Sequence, residues 1–384
     1  MGTAFLVDAV RTPVGRRNGA LASLHPVSLG ALPLNALVSR TGVPAEAIDD
    51  VVYGCVTPVG EQGANVGRLC ALEAGFPVEV TGVQVNRMCG SSQQAIHFAA
   101  MGVASGFQDL VIAGGVEAMS RVPMASDLFL DGAMAEWSPE LRWRYTLITQ
   151  GRSAELVARK YGLGRSDLDA YSLESHRRAA SAQASGAVAR ELCDVTAAGR
   201  LLDRDEGVRT DTTLEKLASL KPAFEESGVI TAASSSQIAD GAAAVLLASE
   251  AAVKRYHLRP RARIVSMATA GVDPTIMLTG PVPASKKALT NAGLSVRDLD
   301  AVEINEAFAS VALGCGRALD LDFERTNVFG GAIANGHPLG ASGAKLMTTL
   351  LNVLDARKGR YGLLTMCIGF GQATATVVER LGDR

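Results

Sequence analysis

At roughly 150 residues per domain, a chain of 384 residues has room for two or three units and a sizeable core. Hydrophobic residues make up 48% and charged residues 20%, which excludes a disordered chain. Lys plus Arg number 37 against 39 Asp plus Glu, so the net charge of −2 leaves no footprint for nucleic acid or an anionic membrane surface. No run approaches the ~18 apolar residues of a membrane span, and the first residues lack the basic and apolar regions of a signal peptide. The six cysteines, Cys55, Cys70, Cys89, Cys193, Cys315 and Cys367, contain no C-x-x-C pair. They suit neither a disulfide scaffold nor a zinc site, so a reducing, cytoplasmic setting and no metal are expected.

Short apolar runs at 51–56, 110–113, 262–266, 301–304 and 363–367 predict strands. Helical periodicity predicts helices over 28–41, 91–105, 286–292, 307–319 and 344–357, with a further charged helical pattern over 165–185. This alternation implies an α/β architecture. Two segments align without gaps: Gly42-Val-Pro-Ala-Glu-Ala-Ile-Asp-Asp-Val-Val-Tyr-Gly54 and Gly293-Leu-Ser-Val-Arg-Asp-Leu-Asp-Ala-Val-Glu-Ile-Asn305. Each end then has a Gly/Ser-rich element, a helix and a strand ending in glycines, first from Cys89 to Gly115 and again from His337 to Gly371. The expected organisation is two related halves, 1–118 and 250–384, packed face to face. Between them, 119–249 reads as an insertion covering a site, or as an independent linker domain. It holds both tryptophans, Trp137 and Trp143, for which core packing is expected over docking to a partner or membrane.

Cys89 lies where an apolar strand pattern passes into a helix, in Val-Asn-Arg-Met-Cys89-Gly-Ser-Ser. There the helix dipole and free N–H groups favour a thiolate, so Cys89 reads as a nucleophile or, equally, as a buried structural cysteine. His337 stands in a glycine- and proline-rich loop, Asn-Gly-His337-Pro-Leu-Gly-Ala-Ser-Gly, as a base near neutral pH or a satisfied core histidine. The glycines lack the Gly-Lys-Ser/Thr of a phosphate loop. Cys367, in Thr-Met-Cys367-Ile-Gly-Phe-Gly, ends the last strand run beside backbone N–H groups that could face an oxyanion, or is a packed strand cysteine. Asn305, after an apolar strand, could be no more than a helix cap.

These four segments in this order resemble the thiolase family of acyl-CoA:acetyl-CoA acyltransferases. The resemblance runs from Asp8-Ala-Val-Arg-Thr-Pro to Gly369-Phe-Gly-Gln and includes Gly114-Gly-Val-Glu-Ala-Met-Ser120, Ser153-Ala-Glu-Leu and Asp240-Gly-Ala-Ala. It implies a five-layered α-β-α-β-α fold of two related halves with an inserted loop domain. It also implies that Cys89 carries the acyl group, that His337 activates it, and that Cys367 moves the proton α to the thioester. Asn305 would hold a water beside His337 in one oxyanion hole, while the N–H groups of Cys89 and Gly369 form a second. Arg209, Phe224 and Ser236 would grip coenzyme A, with Ala307 and Phe308 lining the pantetheine tunnel. Coenzyme A is then a substrate, no cofactor is needed, and a homodimer or homotetramer is expected.

The implied reaction is thiolysis of a 3-oxoacyl-CoA to acetyl-CoA and a shortened acyl-CoA, reversible as a Claisen condensation. Decarboxylating ketoacyl synthases share the fold but use histidines or His/Asn in place of a second cysteine, so Cys367 points to a thiolase. A thiolase-like protein that only binds lipid would not need all four polar site residues. Short-chain biosynthetic members carry His-Met-Gly where Thr149-Gln150-Gly151 stands here, and glycine is usual at Phe370. The segment before Cys89 is similar to degradative fatty-acyl or steroid-side-chain members. Gln150 and Phe370 are therefore expected to shape the acyl pocket away from strict acetoacetyl-CoA use, the alternative being an acetoacetyl-CoA-specific acetyltransferase.

Overall fold

The computed structural model describes residues 2–130, 132–197 and 199–382. Nine strands form the path of one continuous sheet: β1 (Phe5–Arg11), β2 (Asp50–Gly54), β3 (Thr81–Val85), β4 (Leu110–Ala118), β5 (Ala239–Ala248), β6 (Ala262–Gly271), β7 (Ala301–Ile304), β8 (Tyr361–Ile368) and β9 (Gln372–Arg380). Their order is β7-β8-β9-β6-β1-β5-β4-β2-β3, and a two-residue strand at Gly15–Arg16 pairs with β5. The path splits into two halves joined only at β1 and β6, where Phe5 and Leu6 pair with Arg263 and Ala262. Within each half the order is the same, with β1, β2, β4 and β5 matching β6, β7, β8 and β9.

The repeat seen in the sequence has a local cause. Helices α1 (Pro26–Thr41) and α6 (Pro281–Ala292) each begin with proline, whose missing N–H is harmless in the first turn. Each ends on a glycine in the left-handed region, Gly42 at φ 69° and Gly293 at φ 67°. A single 3-10 turn, Ala45–Ala47 or Val296–Asp298, then feeds β2 or β7. The expected helix Ser91–Ser105 (α3) has those bounds, and its counterpart α8 runs Ser342–Arg357.

Three apolar clusters build the layers. Leu29, Leu34 and Leu37 of α1, with Val66 and Cys70 of α2 (Val66–Glu73), pack on Val51, Tyr53, Ile112 and Leu246 of the first half. Ile96 and Val103 of α3 and Met347 and Leu350 of α8 fill the centre between the halves. Ala284, Ala288 and Leu289 of α6 cover Leu363, Ala375 and Val377 on the far side. The result is α-β-α-β-α, because each half of the sheet is apolar on both faces and must be covered twice.

The segment expected as an insertion over 119–249 ends too late. Its residues 239–248 are β5, buried along its whole length between β1 and β4. The excursion is thus 119–238, inserted in the β4–β5 connection, where the second half has only a three-residue link between β8 and β9. Its helices α4 (Gln150–Lys160) and α5 (Arg165–Ala184) share a core with α7 (Ala309–Leu319), through Ala154, Val157, Leu168 and Ala312. It is also tied down by buried charge: Arg11 meets Glu191 at 2.6 Å and Asp205 at 2.7 Å. Removing either partner would strand a buried ion. The expectation of core packing fails for Trp143, which is 80% exposed. Trp137 is half-buried. No helix among the described residues is long and apolar enough to cross a membrane.

Candidate active site

Cys89 sits in the turn between β3 and α3. Met88 adopts φ 46°, and the turn is held by Ser91 Oγ, which donates to Met88 O at 2.6 Å and accepts from Arg87 N at 2.9 Å. Asn86 Oδ1 accepts from Met88 N at 2.9 Å. A Cβ on Gly90 would lie 2.3 Å from Ile368 Cδ1, so glycine lets this turn close on the strand that carries Cys367.

Burial, not the helix terminus, sets the resting thiol. Desolvation pushes Cys89 up to about 11, although the Gln150 side chain and the N–H groups of Cys89 and Gly369 favour its charged form. The pull of the helix terminus is therefore outweighed by burial, and Cys89 rests as a thiol. Cys367, at the end of β8, is raised well above the usual thiol range by burial and then by its neighbours Cys89 and Cys315. Both thiols are neutral.

His337 is 3% exposed, and burial, followed by the positive charge of Lys345, lowers it to about 3. Its Nδ1 lies 2.5 Å from Ser342 Oγ, which donates to Pro338 O at 2.8 Å. The hydroxyl proton is thus committed to the carbonyl, so Nδ1 carries the ring proton. Nε2 is left to accept from Asn305 Nδ2 at 3.3 Å. Asn305 Oδ1 is buried with no partner, an acceptor waiting for a donor in the site. A neutral imidazole with a lone pair on Nε2, in a loop whose Leu339 shares an apolar cluster with Cys89, can take up a proton as a thiol attacks an electrophile.

Two buried carboxylates frame these groups. Glu117, from β4, accepts from Val56 N, Thr57 N, Gln62 Nε2 and Gly340 N at 2.8–3.1 Å, joining the first half to the His337 loop. Glu306 accepts from Tyr171 Oη, Ser175 Oγ, Asn327 Nδ2 and Ile333 N at 2.7–3.1 Å, fixing the 305–308 strap against α5. Sequence reasoning missed Ser342 and both glutamates as site residues. Glu117, a lone charge inside the apolar run Leu-Val-Ile-Ala-Gly-Gly-Val-Glu-Ala, was the one signal available.

Of the residues expected to grip coenzyme A, four come together. Phe224 and Phe308 meet edge to face at 5.8 Å, and Ser236 N donates to Ala307 O at 3.0 Å. Arg209 stands apart: its backbone N–H donates to His176 Nδ1 at 3.1 Å, and its exposed side chain makes no hydrogen bond or ion pair among the described residues. Gln150 Nε2 lies 3.1 Å from where a Cβ on Gly369 would sit, with Met88 Sδ at 2.9 Å from the same point. Phe370, at φ 59°, packs edge to face on Trp137 at 5.4 Å. No group of three or more His, Cys, Asp or Glu that could hold a metal occurs among the described residues.

The family models for the thiolase N-terminal and C-terminal domains match residues 4–251 and 258–380. The chain is 48% identical to a steroid 3-ketoacyl-CoA thiolase of Mycobacterium tuberculosis, over 99% of this chain and 95% of that protein. It is 46% identical to a beta-ketoadipyl-CoA thiolase of Acinetobacter baylyi, over 99% of this chain and 100% of the other. The crystal structure of the Bacillus anthracis acetyl-CoA acetyltransferase superposes with a TM-score of 0.91 at 38% identity, covering 99% of both chains. With two buried cysteines, a histidine held by serine and asparagine, and these matches along its length, the chain belongs to the thiolase family.

Proposed function

We propose that the protein is an acyl-CoA thiolase acting through a Cys89 thioester. One observation carries the reading: Cys89 and Cys367 are buried as neutral neighbours, and the loop that holds His337, whose Nε2 carries no proton, packs into one apolar cluster with Cys89 through Leu339. Cys89 Sγ attacks the 3-oxo carbon of a 3-oxoacyl-CoA while His337 takes the thiol proton. The C2–C3 bond breaks, the acyl group stays on sulfur, and the departing acetyl-CoA enolate takes its α-proton from Cys367. The proton on His337 passes to the Cys367 thiolate; His337 then takes the thiol proton of coenzyme A, which attacks the thioester, and returns it to Cys89 as that sulfur leaves. Both cysteines and His337 end as they began, so the cycle balances without a metal or redox cofactor. The N–H groups of Cys89 and Gly369 are suited to one oxyanion, and Asn305 with a protonated His337 to the other.

In the same reading coenzyme A runs past Phe224, Ser236, Ala307 and Phe308, with Arg209 reaching its phosphate end. Gln150 and Phe370 shape the acyl end, as suits a degradative, β-oxidation-type enzyme. Six free cysteines, all buried, support a reducing cytoplasm. The exposed edge strand β3, with Val83 43% exposed beside Leu69 and Leu72, supports self-association as a homodimer or homotetramer. The test is thiolysis by the purified protein, with 3-oxoacyl-CoA substrates of several lengths and a Cys89→Ala control. Cleavage that needs Cys89 is expected. Absence of cleavage by folded protein, or full activity in Cys89→Ala, would overturn the reading.

A further inference from the structure

Two non-glycine residues hold left-handed backbone on the two loops that meet at Cys89: Met88 at φ 46° and Phe370 at φ 59°. Such residues strain the chain, and the strain persists only where surrounding contacts hold them in place. Phe370 is the middle residue of the three-residue link between β8 and β9, next to Gly369, whose N–H faces the Cys89 thiol. Its ring meets Trp137 at 5.4 Å with the planes at 84°, the preferred edge-to-face geometry. Trp137 comes from the 119–238 excursion, so this pair brings the excursion against the catalytic loop. Around Gly369 stand the Met88 thioether and the Gln150 carboxamide, both uncharged. The arginines nearest Trp137 in sequence are engaged by their own segment, Arg142 with Glu136 at 3.6 Å and Arg144 with Glu140 at 2.8 Å.

We infer that Trp137 and Phe370 form an aromatic wall selecting the acyl group that Cys89 receives, and that this group is neutral and ring-bearing, not carboxylate-ended. The inference rests on the thiolase reading above. Two aromatic faces and a thioether reward a flat apolar group by contact over its whole surface. The donors beside them, the Trp137 indole N–H and the Gln150 carboxamide, are neutral, and Arg87 is engaged with Gln372 Oε1 at 2.9 Å, so a carboxylate would be buried without a counter-charge, which is costly.

The experiment measures kcat/KM for thiolysis of three probes: acetoacetyl-CoA, 3-oxoadipyl-CoA and 3-oxo-5-cyclohexylpentanoyl-CoA. Wild type is expected to favour the cyclohexyl probe over 3-oxoadipyl-CoA by about tenfold or more, the scale on which apolar pockets discriminate. In Trp137→Ala and Phe370→Gly the ratio of cyclohexyl probe to acetoacetyl-CoA should fall about tenfold, and Trp137→Phe should restore most of it. A ratio unchanged in both variants, or a wild-type preference for 3-oxoadipyl-CoA, overturns the wall while leaving the thiolase reading intact. Cleavage of none of the three by folded wild type would instead overturn the reading beneath it.

Discussion

The Nδ1–H of His337 donates to Ser342 Oγ at 2.5 Å, five residues further along the same loop, and this bond decides which ring nitrogen is bare. Because Ser342 is itself anchored to Pro338 O at 2.8 Å, the imidazole can neither flip nor change tautomer without breaking two buried hydrogen bonds. The basic Nε2 is thereby aimed at Asn305 and the site. Ser342→Ala should lower kcat by about 10- to 100-fold by freeing the ring, on the scale of lost orienting partners elsewhere. KM should change little. Steady-state kinetics with a far-UV spectrum as folding control will check this; a wild-type kcat would mean that the serine does not orient the base.

Cys89 lies close enough to Cys367 to raise its thiol, yet only one of the two is proposed to carry acyl. Cys367→Ala should therefore keep transfer of an acyl group from acyl-CoA to Cys89, detectable as a mass increase on the intact protein. It should lose about 10²-fold or more in carbon–carbon cleavage, the usual value of a positioned proton donor. Cys89→Ala should lose both. Equal loss of both reactions in Cys367→Ala would contradict the division of labour.

Glu117 accepts five hydrogen bonds, three from backbone N–H groups of two different loops and two from the Gln62 amide and the Cys55 thiol. Burial pushes its carboxyl up while these donors hold it down. In Glu117→Gln one carboxylate oxygen becomes an NH2 group facing two donors, leaving buried polar groups unpaired. A loss of about 2–4 kcal/mol in unfolding free energy is expected from such a network. Activity should fall with it, since the His337 loop loses its tie at Gly340. Denaturant unfolding will test the magnitude.

His97, at the centre of α3, contacts Thr376 Oγ1 at 2.7 Å and is lowered by burial, then by Arg87, to about 3. Its folded pKa lies below the unfolded value of 6.5. The unfolded chain therefore binds the proton first, and stability is present above pH ~6.5 and drains away as pH falls toward 3. One such histidine contributes a slope of up to about 1.4 kcal/mol per pH unit between these limits. In His97→Gln, unfolding free energies measured from pH 6.5 to 4 should fall less steeply than in wild type by about one proton. Equal slopes would show that His97 is charged in the folded state.

The segments that carry chemistry were legible because each joins a rare reactive residue to glycines that only a tight backbone requires. Cys89 before a helix, His337 in a glycine loop and Cys367 before Gly-Phe-Gly are patterns that local sterics enforce. The two halves were legible because the proline start and left-handed glycine stop of α1 and α6 are written in consecutive residues. Strand β5 was not legible, since Ala-Asp-Gly-Ala-Ala-Ala-Val-Leu-Leu-Ala has neither alternation nor β-branched richness, and becomes a strand only by lying between β1 and β4. Its place showed that the excursion interrupts the first half before that half is complete.

Local sequence thus settled which residue types stand at strand and helix ends, and with them the chemistry available. Tertiary structure alone decided the protonation of that chemistry, because burial acts through neighbours distant in the chain. The helix terminus that would favour a Cys89 thiolate is overruled by burial in a site built from both halves, and the same burial keeps His337 neutral. Ser342 shares a loop with His337, but its hydroxyl meets the ring only because α8 starts there against α3. Trp137 and Phe370, 233 positions apart, meet only when the excursion folds back over the second half, since desolvation and ring packing depend on distance in space.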